Sequence, residues 1–221
     1  TIIIPEHIYN MSYVKDTLKM YPNLHLKIIP AGIHLHVENL IFPEVRKWSI
    51  SIAPDTISLI KKKVLEYAES HFKLKPNYGD KIYISRKKTG KRGFTNELEV
   101  EKIITKYGFN SVYFEDHNIY EQALIMNKAK YVVGLHGAGF ANIIYMNTGN
   151  SIFEIIAHPP EINEHRTGYW RLSGIIGLNY YCQFCDIDVK NNVVEILNND
   201  LIANTELLEK NIKTFISNEN Q

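Results

Sequence analysis

The sequence predicts an α/β fold in which helices cover both faces of a parallel sheet. Between residues 81 and 156, short apolar segments alternate with amphipathic ones at the lengths expected of strands and helices. Strands that alternate with helices favour a parallel sheet joined by right-handed crossovers. The chain has 221 residues, of which 45% are hydrophobic and 22% charged, and this composition is ordinary for a globular protein.

The first third of the chain predicts a separate group of elements. Strands are expected at residues 2–4, 26–29 and 40–42, and helices at residues 12–21 and 57–72. The segment 76–80, with the sequence PNYGD, has the proline and glycine content of a linker. We therefore predict two domains, residues 1–75 and residues 76–221, of which the first is incomplete.

The segment from residue 81 onward predicts the regular alternation of strands and helices on which the fold class depends. Strands are expected at residues 81–85, 111–115, 131–135 and 151–156, and helices at residues 96–107, 119–129 and 140–146. A further helix is expected at residues 169–176, strands near positions 181 and 194, and a terminal helix at residues 205–216. Parallel sheets of this kind bind ligands at the carboxyl ends of their strands. Arg86, Glu115 and His136 all fall at such ends.

The turn after the strand at 131–135 has the features of an anion site. Residues 136–142, HGAGFAN, carry two glycines before a predicted helix, so backbone N–H groups can approach a ligand at the helix N-terminus. A helix N-terminus favours negative charge. Arg86 and Arg92 could complete a diphosphate clamp, because guanidinium groups bind phosphate oxygens bidentately. A solvated loop is the simpler interpretation of the basic segment 86–92 taken alone, but beside this turn phosphate binding is favoured.

Several of these residues have a structural interpretation as well as a functional one. His136 is either a hydrogen-bonded core histidine or a donor that stabilises a departing diphosphate. Asn96 and Glu97 open a helix, so helix capping competes with catalysis as their role. Gln122 is expected to be structural or to contact a nucleobase.

A set of motifs in fixed order resembles glycosyltransferase family 61. The motifs are IYISR at residues 82–86, Arg92 followed by Asn96 and Glu97, Glu121 with Gln122, HGAG at residues 136–139 with Asn142, and FEI at residues 153–155. The resemblance covers roughly residues 80–158 well and the flanking regions only loosely. Members of that family include plant xylan transferases, transferases of O-GlcNAc and O-mannose glycans, and bacterial polysaccharide enzymes.

The resemblance implies an inverting transferase of the two-domain GT-B type that needs no metal ion and no further cofactor. Residues 1–75 would be the remainder of an acceptor-side domain with its linking helix, and residues 76–221 the nucleotide-sugar-binding domain. The expected substrates are a UDP-sugar donor and a glycan acceptor, and the abundant Lys, Asn and Ile, typical of an AT-rich genome, favour bacterial surface polysaccharide synthesis. Family members carry an Asn and a His-Trp motif upstream of the region with which this sequence begins, and no His-Trp occurs here. We expect either that the first part of the N-terminal domain is missing from the sequence or that the protein is a degenerate member. The catalytic base and the acceptor site are therefore left unassigned.

The site residues follow from the resemblance together with the strand-end argument. A carboxylate such as Glu154 accepts hydrogen bonds from both hydroxyls of a ribose. The expected catalytic residues are His136 and Glu97, and the expected donor-binding residues are Ser85, Arg86, Arg92, Asn96, Glu115, Gln122, Gly137, Ala138, Gly139, Asn142 and Glu154. A non-catalytic nucleotide- or glycan-binding module is the alternative function, and an unrelated nucleotide-binding regulator is a third.

Composition argues against other classes of protein. Lys and Arg number 25 against 24 for Asp and Glu, so the net charge does not favour binding to nucleic acid. No segment approaches the ~20 apolar residues of a membrane span, and no signal peptide is evident. We therefore expect a cytoplasmic location, with peripheral association at the inner face of a membrane left open.

The two cysteines form an isolated Cys-x-x-Cys motif. A structural zinc site would need two further ligands at suitable spacing. Cys182 and Cys185 lie on a predicted extended segment, so their side chains should point to opposite faces and remain unreactive. The Asp-x-Asp pattern of Asp186 and Asp188 matches a metal motif of other transferases, but so short an acidic pattern is common by chance.

Overall fold

The computed structural model describes residues 1–41, 53–72, 76–90, 92–158, 167–188 and 199–217. The strands are β1 (Ile2–Pro5), β2 (Leu26–Ile29), β3 (Lys81–Ile84), β4 (Asn110–Val112), β5 (Tyr131–Leu135), β6 (Ser151–Ala157), β7 (Asn179–Ile187) and β8 (Leu201–Ile202). The α-helices are α1 (Glu6–Tyr9), α2 (Ser12–Lys19), α3 (Pro54–His71), α4 (Glu97–Lys106), α5 (Ile119–Lys128), α6 (Gly168–Ile176) and α7 (Thr205–Ser217). Short 3-10 helices occupy Phe114–Asp116 and Ala138–Tyr145. The α/β fold class is confirmed.

The larger sheet has six strands in the order β4-β3-β5-β6-β7-β8. Strands β3 to β7 run parallel, and β8 pairs antiparallel with β7. From β3 the chain first goes outward through α4 to β4, and then returns through α5 to β5 on the other side of β3. This reversal is a topological switch point, and the crevice beyond the carboxyl ends of β3 and β5 is where sheets of this type bind ligands. Arg86 follows β3 and His136 follows β5.

The alternation of side chains along the strands builds a core on each face of this sheet. Ile84 and Val132 face one core together with α3, α5 and the start of α6. Tyr83 and Val133 face the other core together with α4 and α7. Because the reversal at the switch point puts the two crossover helices on opposite faces, both faces of β3 and β5 are covered and buried.

The N-terminal residues form a second, two-stranded sheet in which β1 and β2 are parallel. Helices α1 and α2 connect these strands, and α2 contacts α5, where the Tyr120 hydroxyl donates to the Asp16 carbonyl at 2.5 Å. A separate N-terminal sheet agrees with the sequence analysis. The domain boundary at residue 75 stays a prediction.

Two predicted strands differ in the structure, and a third falls outside the described residues. The strand expected at 40–42 is not a strand at residues 40 and 41, and Phe42 lies outside the described residues. The strand expected near position 194 also lies outside them. The strand expected at 111–115 ends at Val112, because the buried Phe114 turns inward in a 3-10 helix and leaves Glu115 exposed.

The helix expected at residues 140–146 begins earlier and is a 3-10 helix, Ala138–Tyr145. Its first turn is packed against β3, since a Cβ at Gly139 would lie 3.1 Å from the Ile84 Cγ2. Asn142 donates to the carbonyl of Gly139 within it at 3.2 Å. A tighter helix follows from this close packing and from the low helix propensity of glycine.

A short pairing of residues 93–96 with residues 200–203, here called the latch, fixes the loop after β3. The Gly93 N–H donates to the Asp200 carboxylate at 2.9 Å, and the Leu201 N–H donates to the Gly93 carbonyl at 2.9 Å. Asn96 donates to the Ala203 carbonyl at 2.9 Å and accepts from the Ala203 N–H at 3.0 Å. The latch therefore holds the loop that carries Arg92, whose φ of +56° is uncommon for a residue with a side chain.

Replacing Asn96 by Ala should destabilise the protein by about 1–3 kcal/mol, because both backbone polar groups of the buried Ala203 lose their partner. Urea denaturation measures the difference. Asn77→Ala is the matched control, since the Asn77 side chain makes only an exposed contact of 3.4 Å with the Gly79 N–H and its loss should change stability by less than ~0.5 kcal/mol. Equal stability of the two variants would contradict a structural role for Asn96.

Candidate functional site

Arg86 and Arg92 lie together at the switch point, and neither has a carboxylate partner within the part of the chain that the structure describes. The Nε atoms of both arginines are buried and have no hydrogen-bond partner among the described residues. Their neighbours Lys87 and Lys88 do pair, with Glu101 and Asp116 respectively. Burial and then the adjacent Arg92 lower the pKa of Arg86, and the exposed Glu115 opposes this only in part. Two cationic groups held side by side in this way favour the binding of an anion.

Gly137 gives the Arg86 guanidinium its space. A Cβ at this position would lie 2.0 Å from the Arg86 Nη1. The φ of Gly137 is 164°, which is extended backbone that any residue adopts, so the requirement for glycine is one of space and not of conformation. The carbonyl of Gly137 accepts a hydrogen bond of 2.7 Å from the Tyr169 hydroxyl, which fixes the turn from the side of α6.

Tyr169 is a site residue that the sequence analysis missed. Its ring lies 5.3 Å from the His136 ring, centroid to centroid. Burial and the charge of Glu154 raise the pKa of Tyr169 to about 12, while Arg86 and Arg92 act in the opposite direction. The hydroxyl is therefore neutral at physiological pH and lies within the field of both arginines. The only feature of the sequence that marked this residue was its position at the start of a predicted helix.

His136, Glu154 and Tyr180 form a hydrogen-bonded chain across three neighbouring strands. The His136 Nδ1 lies 2.5 Å from the Glu154 Oε1, and the Tyr180 hydroxyl donates to the Glu154 Oε2 at 2.6 Å. Glu154 is fully buried, whereas the His136 side chain is 29% exposed. Burial and the Glu154 carboxylate raise the pKa of Tyr180. This placement favours an orienting role for Glu154 over the ribose contact expected from the sequence, because both of its oxygens already have protein partners.

Gln122 and Asn142 hold the glycine-containing turn in place. Gln122 donates to the carbonyls of Phe114 and His117 at 2.9 Å each, and its amide oxygen accepts from Asn142 at 2.9 Å. These contacts occupy the amide groups that a nucleobase would need. The structural interpretation of Gln122 is therefore favoured.

Glu97 lies on the opposite face of the sheet from His136. Its Oε1 accepts from the Tyr83 hydroxyl at 3.0 Å and from the Ser85 hydroxyl at 2.8 Å, while its Oε2 is buried without a partner among the described residues. Burial raises the pKa of Glu97, and the two hydroxyl groups oppose that shift. The structure thus does not bring the two expected catalytic residues together.

The expected site residues fall into two groups. Those at the switch point are Arg86, Arg92, His136, Gly137 and the buried Glu154. Glu115 and Ala138 are also there, and both are exposed. Those whose side chains or positions serve the surrounding structure are Ser85, Asn96, Glu97, Gln122, Gly139 and Asn142.

The cysteines lie on opposite faces of an extended strand, as the sequence predicts, and their low reactivity stays a prediction. Cys182 is exposed and Cys185 is buried, on opposite faces of β7. Burial raises the pKa of both thiols, that of Cys185 to about 11, so both are protonated at neutral pH. Within the described residues no cluster of three or more His, Cys, Asp or Glu side chains is arranged to hold a metal ion. No described helix has the length and apolar character needed to cross a membrane.

A parallel α/β sheet with cationic side chains at its switch point is typical of proteins that bind phosphate-bearing ligands. The family model described as Glycosyltransferase 61 matches residues 2–153. The chain therefore belongs to glycosyltransferase family 61, as its motifs indicated.

A curated relative comes from a plant. The chain is 33% identical over 72 residues to a protein of Arabidopsis thaliana named xylan glycosyltransferase MUCI21. The matched stretch covers 31% of this chain and 15% of the relative. The chain thus corresponds to a small part of that protein's length.

Gly137→Ala should weaken binding of UDP, used as a diphosphate probe, by roughly tenfold, because the new methyl group must displace the Arg86 guanidinium. The melting temperature should change little, since the displaced atom is the end of a flexible side chain. Calorimetric titration and thermal unfolding measure the two effects.

The matched control is Gly174→Ala in α6, where a Cβ would meet nothing within 4 Å. This variant should bind UDP as the unchanged protein does. Equal affinities of the Gly137 and Gly174 variants would argue against a role for Arg86 in binding.

Proposed function

We propose that this chain contains the nucleotide-binding part of an inverting glycosyltransferase, which moves a sugar from a UDP-linked donor to a glycan acceptor. The observation that carries the proposal is the pair of adjacent arginines, Arg86 and Arg92, neither of which has a carboxylate partner among the described residues. A nucleotide diphosphate supplies the missing negative charge, and its oxygens match the fork geometry of guanidinium groups.

The proposed chemistry breaks the bond between the anomeric carbon of the sugar and the diphosphate oxygen. An acceptor hydroxyl attacks that carbon from the opposite side, and the electron pair of the broken bond remains on the departing diphosphate. Arg86, Arg92 and His136 stabilise the charge that develops there. These side chains supply the role that a metal ion fills in other transferases, so we propose a reaction that needs none. The acceptor proton passes to a base that we leave unassigned.

The arrangement of the domains in this proposal is that of a GT-B enzyme. The six-stranded sheet would bind the donor, and the parallel pair β1 and β2 would belong to an acceptor-side domain. The name of the Arabidopsis relative, xylan glycosyltransferase, supports a polysaccharide acceptor. We propose a role in surface polysaccharide synthesis on the cytoplasmic side of a membrane.

One observation favours a second candidate, a non-catalytic nucleotide- or glycan-binding module. Glu97, the carboxylate expected to act with His136, has its Oε1 bound to Tyr83 and Ser85 on the far side of the sheet. Hydrolysis of a UDP-sugar in the absence of acceptor separates the two candidates, because only an enzyme releases UDP.

Arg86→Ala and Arg92→Ala should each weaken UDP binding by about 1.5–3 kcal/mol, which is the range for hydrogen bonds to charged groups. Arg→Lys at either position should recover only part of the loss, since the bidentate geometry is not restored. Calorimetry measures the affinities. Lys102→Ala, which removes an exposed cation from α4, is the control and should leave them unchanged. Unaltered UDP affinity in both folded arginine variants would refute the clamp.

His136→Ala should lower kcat for sugar transfer on the order of 100-fold and weaken UDP binding by much less, because a donor to the leaving group acts most strongly in the transition state. The assay follows UDP release, with the melting temperature measured on the same sample. A variant that melts and turns over normally would remove His136 from the mechanism, and one that only melts early would make it a structural residue.

A further inference from the structure

The hydrogen bonds that link His136, Glu154 and Tyr180 are not needed to hold a diphosphate between Arg86 and Arg92. Glu154 sits on the face of β6 that carries apolar core residues, and its exposure is 0%. A carboxylate in such a place is costly unless both of its oxygens are hydrogen-bonded. Here the partners are a ring nitrogen and a hydroxyl, one on each side.

The backbone explains why these three side chains meet. Glu154 lies opposite Gly134 of β5 and opposite Cys182 of β7 in the parallel register. His136 is two residues beyond Gly134, and Tyr180 is two residues before Cys182, so all of them share one face of the sheet. Gly134 has no side chain between His136 and the core. A Cβ at this position would lie 3.0 Å from the Phe140 ring.

The contact also selects which ring nitrogen of His136 is available. A carboxylate accepts hydrogen bonds, so the Nδ1 that faces Glu154 carries a proton. The Nε2 has no hydrogen-bond partner among the described residues. The ring is partly exposed and lies beside Tyr169, whose hydroxyl is in turn close enough to Arg86 and Arg92 for their charges to act on it. The free nitrogen is therefore the one that a ligand at the switch point can reach.

We propose that Glu154 and Tyr180 are positioning residues, which fix the His136 ring so that its Nε2 donates a hydrogen bond to the leaving diphosphate. This inference rests on the proposed function for the identity of the ligand. The hydroxyl of Tyr180 holds one oxygen of Glu154, and the other oxygen accepts the Nδ1 proton of His136. Since Nδ1 keeps its proton, Nε2 donates only when it carries a proton of its own, and a carboxylate beside the ring favours that form. Glu154 itself does not touch the donor.

The experiment combines nitrogen-15 NMR of the histidine rings with kinetics. In the unchanged protein the His136 Nδ1 should be protonated, and UDP should shift the Nε2 resonance more than the Nδ1 resonance. Glu154→Gln keeps the shape but removes the charge, and its amide can donate to Nδ1 while its oxygen stays with Tyr180. The variant should change the ring pattern, by which we mean the nitrogen-15 shifts that report which ring nitrogens carry a proton. It should also lower kcat at least tenfold, while its affinity for UDP stays within about threefold of that of the unchanged protein.

Ile152→Val is the matched control for a purely structural effect on β6. It removes a buried methyl-sized group two residues from Glu154 on the same face of the strand, so it should lower the melting temperature slightly and leave kcat and the ring pattern unchanged. Tyr180→Phe should lower kcat by a smaller factor than Glu154→Gln and keep the Nδ1 proton. If Glu154→Gln does not fold, Tyr180→Phe and the spectrum of the unchanged protein test whether Glu154 and Tyr180 position the His136 ring.

The inference is overturned if Nδ1 is unprotonated in the unchanged protein. It is also overturned if Glu154→Gln folds and retains both the ring pattern and kcat, or if it loses UDP affinity tenfold or more with kcat unchanged, as a direct ribose ligand would. Failure of the unchanged protein to bind UDP would instead refute the proposed function, since the ring pattern is measured without ligand.

Discussion

Two adjacent guanidinium groups, which pair with no carboxylate of the described segments, are the constraint on which the rest of the site depends. Arg86 and Arg92 repel each other, and each keeps a buried nitrogen without a hydrogen bond among the described residues. A folded protein tolerates such a pair only when the surrounding structure holds it there or when an anion binds between the charges. In this protein, the neighbouring elements hold the two arginines in place, and we propose that a diphosphate is the anion that binds them.

Each support comes from a different part of the chain. The latch fixes the loop of Arg92 through contacts with residues more than a hundred positions away, such as Ala203. The missing side chain at Gly137 leaves space for Arg86, and Tyr169 ties that turn to α6. The switch point brings these elements together because β3 and β5 are neighbours in the sheet although α4, β4 and α5 lie between them in sequence. The candidate site is therefore a product of topology as much as of local sequence.

The sequence predicted the parts of the site that depend on strand ends. Arg86 and His136 follow buried apolar strands, and that signal is strong because parallel strands end at one edge of a sheet. It could not predict which face of the sheet a side chain enters, and for this reason Glu97 was paired with His136 although the two lie on opposite faces. Residues that act through distant contacts, such as Tyr180 and Tyr169, had no local pattern to mark them.

The central claim, that the arginine pair recognises a diphosphate, is tested most directly by comparing three ligands that share one nucleoside. Calorimetry of the unchanged protein with UDP, UMP and uridine isolates the contribution of each phosphate group. The account predicts that UDP binds at least tenfold more tightly than UMP, that uridine binds more weakly still, and that added salt reduces the difference. Equal affinity for UDP and uridine would contradict it, because recognition would then reside in the nucleoside and not at Arg86 and Arg92.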